Sequence, residues 1–206
     1  MLFSKEAAGW LDEAEASYQE AAEIRRKALA ENESPEAGRI LAVALERLGD
    51  TARAKGDFDA AMKWYTEEAG LYQKVLDRTG TDAARHDLSI AYNKIGVLYK
   101  DQGLTGKALA YYTKAREITD ALASSEAVSP AILRSSFIDN LKIGEALEAQ
   151  NKLDEALEVY DRICPMARSL REAAPSDQAE RDYFIALIKL GDIAYKKMVP
   201  VLEVVH

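Results

Sequence analysis

Several residue types that build particular classes of protein are scarce in this chain of 206 residues. Its one cysteine, Cys164, has no second thiol for a disulfide or a thiolate metal site, and we interpret it as a buried apolar residue. The two histidines, His86 and His206, belong to no cluster of His, Asp and Glu at ligand spacing. We therefore expect neither a metal site nor any other cofactor.

Long apolar runs are also missing. No stretch approaches the roughly 18 consecutive apolar residues of a membrane helix, and residues 1–9 lack the apolar core of a signal peptide. The 27 basic residues are outnumbered by 35 acidic ones, and the net charge of -8 disfavours binding to nucleic acid or to anionic lipid. We expect a cytoplasmic protein that contacts neither membranes nor nucleic acid.

Residue groups typical of catalysis do not stand out either. The sequence offers no obvious pair of carboxylates for a cleft, no Ser/His/Asp combination and no glycine-rich phosphate loop. Runs of acids such as Asp12-Glu13 and Asp154-Glu155 are typical of the exposed first turn of a helix. The chain is therefore predicted not to be an enzyme.

A block of about 47 residues, by contrast, recurs along the chain. Its first mark is a Leu-Gly or Ile-Gly dipeptide, found at Leu48-Gly49, Ile95-Gly96, Ile143-Gly144 and Leu190-Gly191. Its second mark is an alanine followed four residues later by a tyrosine, at Ala14 and Tyr18, Ala61 and Tyr65, Ala108 and Tyr112, and Ala156 and Tyr160. A fixed interval of this kind is typical of stacked repeats, which share a continuous strip of core and offer an extended binding surface.

Each block is predicted to be a hairpin of two helices. Between residues 35 and 80, apolar residues recur at helical spacing until Gly56-Asp57 interrupts them. The interrupting position holds residue types that tolerate the left-handed conformation of a helix end: Gly9, Gly56, Gly103 and Asn151. Capping residues precede the first helices at Ser34, Thr81, Ser129 and Ser176. The predicted helices span residues 10–31, 36–55, 58–78, 82–102, 105–123, 130–150, 153–173 and 177–197.

Small residues inside these helices predict close packing. A glycine within a helix costs about 1 kcal/mol relative to alanine. The recurrence of Gly49 and its equivalents therefore implies that a neighbouring helix approaches closely. The tyrosine of the second helix, such as Tyr65, is predicted to fill the space that the small residues leave.

These residues resemble the tetratricopeptide repeat. The resemblance rests on LGxxA, IGxxY and IGxxL, each followed by a glycine or asparagine, an alanine five residues later and a tyrosine four after that. It implies an all-α fold, a right-handed α-solenoid of antiparallel helical hairpins. The unit is longer than the family's usual 34 residues or so, and residues 87–96 look like the long bacterial variety of these repeats. A HEAT or armadillo array is the alternative by unit length, although its signature residues do not appear.

The predicted organisation is one array in residues 1–198, followed by a C-terminal tail in residues 199–206. The array consists of a half-repeat at 1–34, full repeats at 35–80, 81–128 and 129–175, and a half-repeat at 176–198. Neither end carries a polar capping repeat. Self-association through the uncapped ends is therefore one hypothesis.

The resemblance also implies that the first helix of each repeat lines a concave groove. On the face opposite the Leu-Gly dipeptide, the implied groove residues are Glu46, Asp50, Asn93, Lys100, Glu145, Asp192 and Tyr195. A basic column lies further upstream, at Arg39, His86, Arg134 and Arg181. We interpret this column as a contact for acids or a carboxylate terminus on a partner segment. The alternative is pairing within each helix, for example between Asp177 and Arg181 four residues later.

These expectations favour a protein-interaction scaffold that binds a protein or peptide, as a regulatory part of a larger signalling system. One alternative is a sensor whose groove closes on a short peptide or small ligand and changes the curvature of the array. Another is a structural spacer without a groove ligand.

Overall fold

The computed structural model describes residues 5–124 and 128–204, with side chains in residues 9–124 and 128–198. These residues form eight α-helices and no strand. The helices are α1 (Lys5–Glu31), α2 (Pro35–Lys55), α3 (Phe58–Thr79), α4 (Asp82–Asp101), α5 (Thr105–Ala123), α6 (Pro130–Ala149), α7 (Leu153–Ala173) and α8 (Asp177–Val204). The all-α prediction is confirmed, and α2 to α7 match the predicted boundaries to within one residue.

Local chemistry explains where the helices begin and end. The hydroxyls of Ser34, Thr81 and Ser129 each accept a hydrogen bond from the N–H three residues later. The turn inside each hairpin holds a residue with positive φ, at Gly56 (80°), Gly103 (73°) and Asn151 (59°). The predicted caps and turns are thus confirmed at these positions.

The chain divides into two compact units, residues 1–102 and 103–206. In the first unit, α1 packs on α2, α2 on α3 and α3 on α4. In the second unit, α5 packs on α6, α6 on α7 and α7 on α8. The division falls within the predicted repeat 81–128.

The junction between two helices of one hairpin is built on a glycine and a tyrosine. A Cβ added at Gly49 would lie 2.4 Å from Cε1 of Tyr65, and one added at Gly144 would lie 2.4 Å from Cε1 of Tyr160. Both tyrosines are buried. The predicted pairing of small residue and tyrosine is confirmed at these two junctions, where any side chain at the glycine would push the helices apart.

The first and last helices differ from the pattern. Gly9, predicted to mark a turn, lies inside α1, which begins at Lys5. Residues 199–204, predicted to form a tail, continue α8 as helix, while residues 205–206 lie outside the described part. Met198 holds the position of the hairpin glycines at the end of α8. A methionine does not favour the left-handed conformation, so the helix has no local reason to stop there.

Candidate partner-binding face

The first helices of the repeats are α2 and α4 in the first unit and α6 and α8 in the second. In each unit, we call the side of these helices that carries the predicted groove residues the first-helix face. Its most regular feature is an ion pair between consecutive first helices. Arg39 on α2 pairs with Asp87 on α4 at 2.6 Å, and Arg134 on α6 pairs with Asp182 on α8 at 2.8 Å.

These pairs change the interpretation of the basic column. Two of its four members, Arg39 and Arg134, contact an acid that lies 48 residues later, in the next first helix, rather than one in their own helix. In the same column, Arg181 donates from Nε to the backbone oxygen of Asp177 at 3.1 Å, and His86 is half-buried. Arg39 and Arg134 therefore stabilise the packing of consecutive first helices.

Burial makes the pair in the second unit the stronger of the two. The side chain of Asp182 is 4% exposed, and it also accepts a hydrogen bond from Gln178 at 2.8 Å. A buried carboxylate is costly unless it is paired, so Arg134 is required by its surroundings. The side chain of Asp87 is 21% exposed, although Oδ2, the oxygen that contacts Arg39, is itself buried.

The predicted acidic residues are also paired across first helices. Lys94 on α4 contacts Glu46 at 2.7 Å and Asp50 at 3.3 Å on α2. In the second unit, Lys189 on α8 contacts Glu145 on α6 at 3.4 Å. These carboxylates thus already have protein partners, which orient them along the face.

Tyrosine hydroxyls complete this network. Tyr65 donates to Asp50 at 2.6 Å, and Tyr160 donates to Glu148 at 3.0 Å. Burial, followed by the bonded carboxylate, raises the pKa of both phenols well above the ordinary value. The hydroxyls therefore remain protonated donors.

A second basic column was not recognised in the sequence, although its interval is the same as that of the other repeated residues. Its members are Arg47, Lys94, Lys142 and Lys189. Three of them lie over the tyrosine ring of the preceding second helix, with the ammonium 5.6 to 6.0 Å from the ring centre: Lys94 over Tyr65, Lys142 over Tyr112 and Lys189 over Tyr160. Attraction between cation and ring explains why a basic residue recurs there.

The remaining predicted groove residues differ in exposure. Asn93 is half-buried, whereas Lys100, Asp192 and Tyr195 are exposed. The structure brings Glu46 and Asp50 together through Lys94. Their role in binding a partner stays a prediction.

Apolar residues also recur at one register of the first helices in each unit, and most of them are exposed. Val43 on α2 is 48% exposed, Ile90 on α4 is 39% exposed and Ile185 on α8 is 37% exposed, while Ile138 on α6 is half-buried. Their intervals of 47, 48 and 47 residues match the repeat. Each of these apolar residues lies four residues after a member of the basic column and four before a member of the second basic column. Basic groups therefore flank the apolar residue within each helix.

Other kinds of site are not found in the part of the chain that the structure describes. Within it, no group of three or more His, Cys, Asp and Glu side chains could hold a metal ion. None of the described helices combines the length and apolar character needed to cross a bilayer. Cys164 is buried as predicted, and burial raises the pKa of its thiol.

Family models support the repeat assignment. Two models, both described as tetratricopeptide repeat, match residues 44–79 and residues 90–120. The tetratricopeptide-repeat resemblance is confirmed for these two segments. Each match begins part-way along a first helix, at residue 44 of α2 and residue 90 of α4. The earlier turns, which carry Arg39 and His86, lie outside the matched residues.

Solved structures share the helical-repeat fold. One is a crystal structure from Podosopora anserina, described as a kinesin light chain with nearly identical TPR-like repeats. Its sequence is 17% identical, the match covers 94% of this chain and 90% of that chain, and the TM-score is 0.60. The yeast histone chaperone Hif1, described as a scaffold protein recruiting protein complexes to core histones, is 12% identical, covers 89% of this chain and 97% of its own, and has a TM-score of 0.54. At these identities the likeness concerns the fold alone. No curated protein matches the chain.

Proposed function

We propose that the chain is a non-enzymatic scaffold that binds a partner polypeptide segment on the first-helix face. The observation that carries the proposal is the exposure of Val43 and Ile90 on neighbouring first helices of the first unit, because repeated apolar residues left in water at one register are typical of an interaction surface. The tetratricopeptide repeats at residues 44–79 and 90–120 support it, since such repeats generally bind proteins or peptides.

The charges beside these apolar residues favour a partner with apolar side chains and acids. A guanidinium has five N–H donors, and the pair with Asp87 engages the Nη2 end of Arg39. The same pair fixes the orientation of the side chain, so a partner carboxylate would meet an arginine that is already positioned. Arg181, which is exposed, offers the least restricted contact in the basic column.

Capture of a partner by the full chain tests this proposal. The chain is immobilised in a cell extract of its source, bound polypeptides are identified by mass spectrometry, and capture is repeated with the double variant Val43→Glu and Ile90→Glu. Loss of the same polypeptide is expected, because two carboxylates would replace the apolar contacts. Thr66→Glu, an exposed change on the second helix α3, is the matched control and should retain it. Equal capture by the double variant would contradict the proposal.

A regulatory place in a larger signalling system is part of the same proposal. It follows from the repeat resemblance, and the identity of the captured partner would test it. A polypeptide with no role in signalling would overturn that part while leaving the binding face intact.

A further inference from the structure

One core position of the second helices holds an acid on α3 and apolar side chains on α5 and α7. The acid is Glu68, which is fully buried, and its repeat equivalents Ala115 and Ile163 are fully buried too. The helices of a repeat therefore pack with an apolar side chain at this position. Packing alone does not explain a carboxyl group there, because burying an acid is costly and an apolar residue fills the same place.

The carboxyl group of Glu68 is also left without a hydrogen bond. Both of its oxygens are buried, and neither has a hydrogen-bond partner among the residues that the structure describes. Tyr65 lies three residues before Glu68 and Tyr72 four residues after it, so all three share one face of α3. Both tyrosines are buried as well. The carboxyl group is thus held on a buried face, where its charged form is costly.

Charged groups of both first helices in this unit act on Glu68, since α3 packs on α2 and on α4. They are the Lys94 ammonium, which attracts a carboxylate at Glu68, and the carboxylates of Glu46, Asp50 and Asp87, which repel it. Arg39 on α2 is paired with Asp87 at 2.6 Å. From α1, Arg26 contacts the neighbouring Glu67. Lys94 is therefore the cation that a charged Glu68 would attract.

Lys94 already joins α4 to two acids on α2. Its ammonium is 2.7 Å from Oε1 of Glu46, and it is 3.3 and 3.4 Å from the two oxygens of Asp50. Only the contact with Glu46 is short. The ammonium also lies 5.6 Å from the centre of the Tyr65 ring, one turn before Glu68 on the same face of α3. It therefore has both surface acids and a buried acid within its reach.

The second unit has the same ammonium without the buried acid. Lys189 on α8 is 3.4 Å from Glu145 on α6 and 6.0 Å from the centre of the Tyr160 ring. At the position of Glu68, α7 has Ile163. The contact between consecutive first helices thus forms without a buried carboxyl group. Glu68 is not needed to place Lys94, so it can act on Lys94 in another way.

We propose that Glu68 is a proton-dependent switch of the contact between α2 and α4. While its carboxyl group is neutral, Lys94 holds Glu46 and Asp50 and joins the two helices. When the carboxyl group gives its proton to solvent, the buried carboxylate draws the ammonium inward, because an unpaired charge is more costly there than at the surface. Glu46 and Asp50 then lose their shared partner, and the contact weakens. This inference does not depend on the binding proposed for the first-helix face.

The contact should weaken as the pH rises. Burial raises the pKa of Glu68 to about 8, Lys94 opposes this rise, and the three acids add to it. The carboxyl group is therefore neutral at about pH 6 and mostly ionised at about pH 9. Lys189, which has Ile163 beneath it, should keep its contact with Glu145 over the same range.

NMR of the lysine side chains tests the movement of Lys94. The proton–carbon signals of the Cε groups are followed in the full chain, and Lys94→Met and Lys189→Met assign the two signals. In wild type the Lys94 signal should shift with a midpoint near pH 8, and the Lys189 signal should not. In Glu68→Gln the step at Lys94 should be lost. A Lys94 signal without a step, or the same step in Glu68→Gln, would overturn the proposal.

Amide hydrogen exchange tests the weakening of the contact. Wild type and Glu68→Gln are compared at the same pH, which cancels the effect of pH on the exchange chemistry. At about pH 9, amides of α2 and α4 should exchange about tenfold faster in wild type, whereas at about pH 6 the two proteins should agree. Amides of α6 and α8 are the internal control, and they should exchange equally in both proteins.

Glu68→Ile is a second variant for the same measurement, because α7 shows that isoleucine packs at this position. It should exchange like Glu68→Gln at both pH values. Equal exchange of α2 and α4 in wild type and both variants at about pH 9 would contradict the switch. So would an equal acceleration of α6 and α8, since the second unit has no acid at this position.

Discussion

The ring of Tyr65 lies against Gly49 so closely that a Cβ at residue 49 would be 2.4 Å from Cε1. Tyr160 and Gly144 repeat this relationship 95 residues later, to the same distance. The tyrosine hydroxyl in each case reaches a carboxylate on the first helix, Asp50 or Glu148. The ring of each tyrosine therefore sets the separation of the two helices, and its hydroxyl sets their register.

Gly49→Ala should destabilise the protein by about 1–3 kcal/mol, because overpacking displaces the Tyr65 ring and outweighs the gain in helix propensity. Urea unfolding followed by circular dichroism measures the change. Gly70→Ala, without a neighbouring atom among the described residues, should instead stabilise by about 0.5–1 kcal/mol. A stabilised Gly49→Ala protein would show that the junction is looser than described.

Gly56→Ala should destabilise for a different reason. The residue has a φ of 80°, where a Cβ costs about 1–2 kcal/mol, while nothing described lies within 4 Å of the added atom. Gly56→Asn should lose less, because asparagine tolerates this conformation, as Asn151 does at a φ of 59°. Equal unfolding midpoints for the alanine and asparagine variants would argue against backbone strain as the cause.

The carboxyl group of Glu68 should make stability depend on pH. Its side chain is fully buried on α3, and neither oxygen has a hydrogen-bond partner among the described residues. Burial raises its pKa from 4.5 to about 8; the nearby Lys94 opposes this rise, while the acids Glu46, Asp50 and Asp87 add to it. The folded protein therefore keeps a proton that the unfolded chain loses near pH 4.5. Its contribution to the unfolding free energy falls as pH rises from about 4.5 to about 8.

Glu68→Gln removes that decline, since the amide does not titrate. We expect the variant to be more stable than wild type at pH 8, by about 1–4 kcal/mol, and the difference to shrink towards pH 4.5. Thermal unfolding of both proteins across this range measures it. A constant difference at every pH would show that Glu68 has an ordinary pKa.

Arg134→Met should destabilise more than Arg39→Met. Removing Arg134 leaves the buried Asp182 carboxylate with Gln178 alone, at a cost of about 1–3 kcal/mol. Removing Arg39 should cost less, because the side chain of Asp87 is 21% exposed against 4% for Asp182, although the Oδ2 oxygen of Asp87 is buried. Urea unfolding of the two variants gives the comparison. The reverse order would show that burial of the acid does not decide what each pair contributes.

Most of the helical framework could be predicted from the sequence because its determinants are local. Capping residues such as Ser34 and turn residues such as Gly56 act within a few positions of the chain. The ends of α1 and α8 were placed less well. At the start of α1, Gly9 was predicted to mark a turn because it occupies the repeat position of Gly56, although a glycine can also lie inside a helix.

The candidate face was only partly predictable, because its contacts join residues far apart in the sequence. The basic column at Arg39 and Arg134 was visible, but pairing was sought four residues away rather than one repeat away. The interval of 48 residues to Asp87 and Asp182 contained that information. Burial of Glu68 had no such signal, since an acid on a helix is usually exposed.

Site-specific photo-crosslinking tests the binding of a polypeptide on the first-helix face most directly. A photoreactive amino acid is placed at Ile90, which is exposed on α4, or at Thr66 on α3 as control, and the full chain is irradiated in extract of its source. We predict a crosslinked partner polypeptide from position 90 and none from position 66. The same partner crosslinked from position 66 alone would contradict the account.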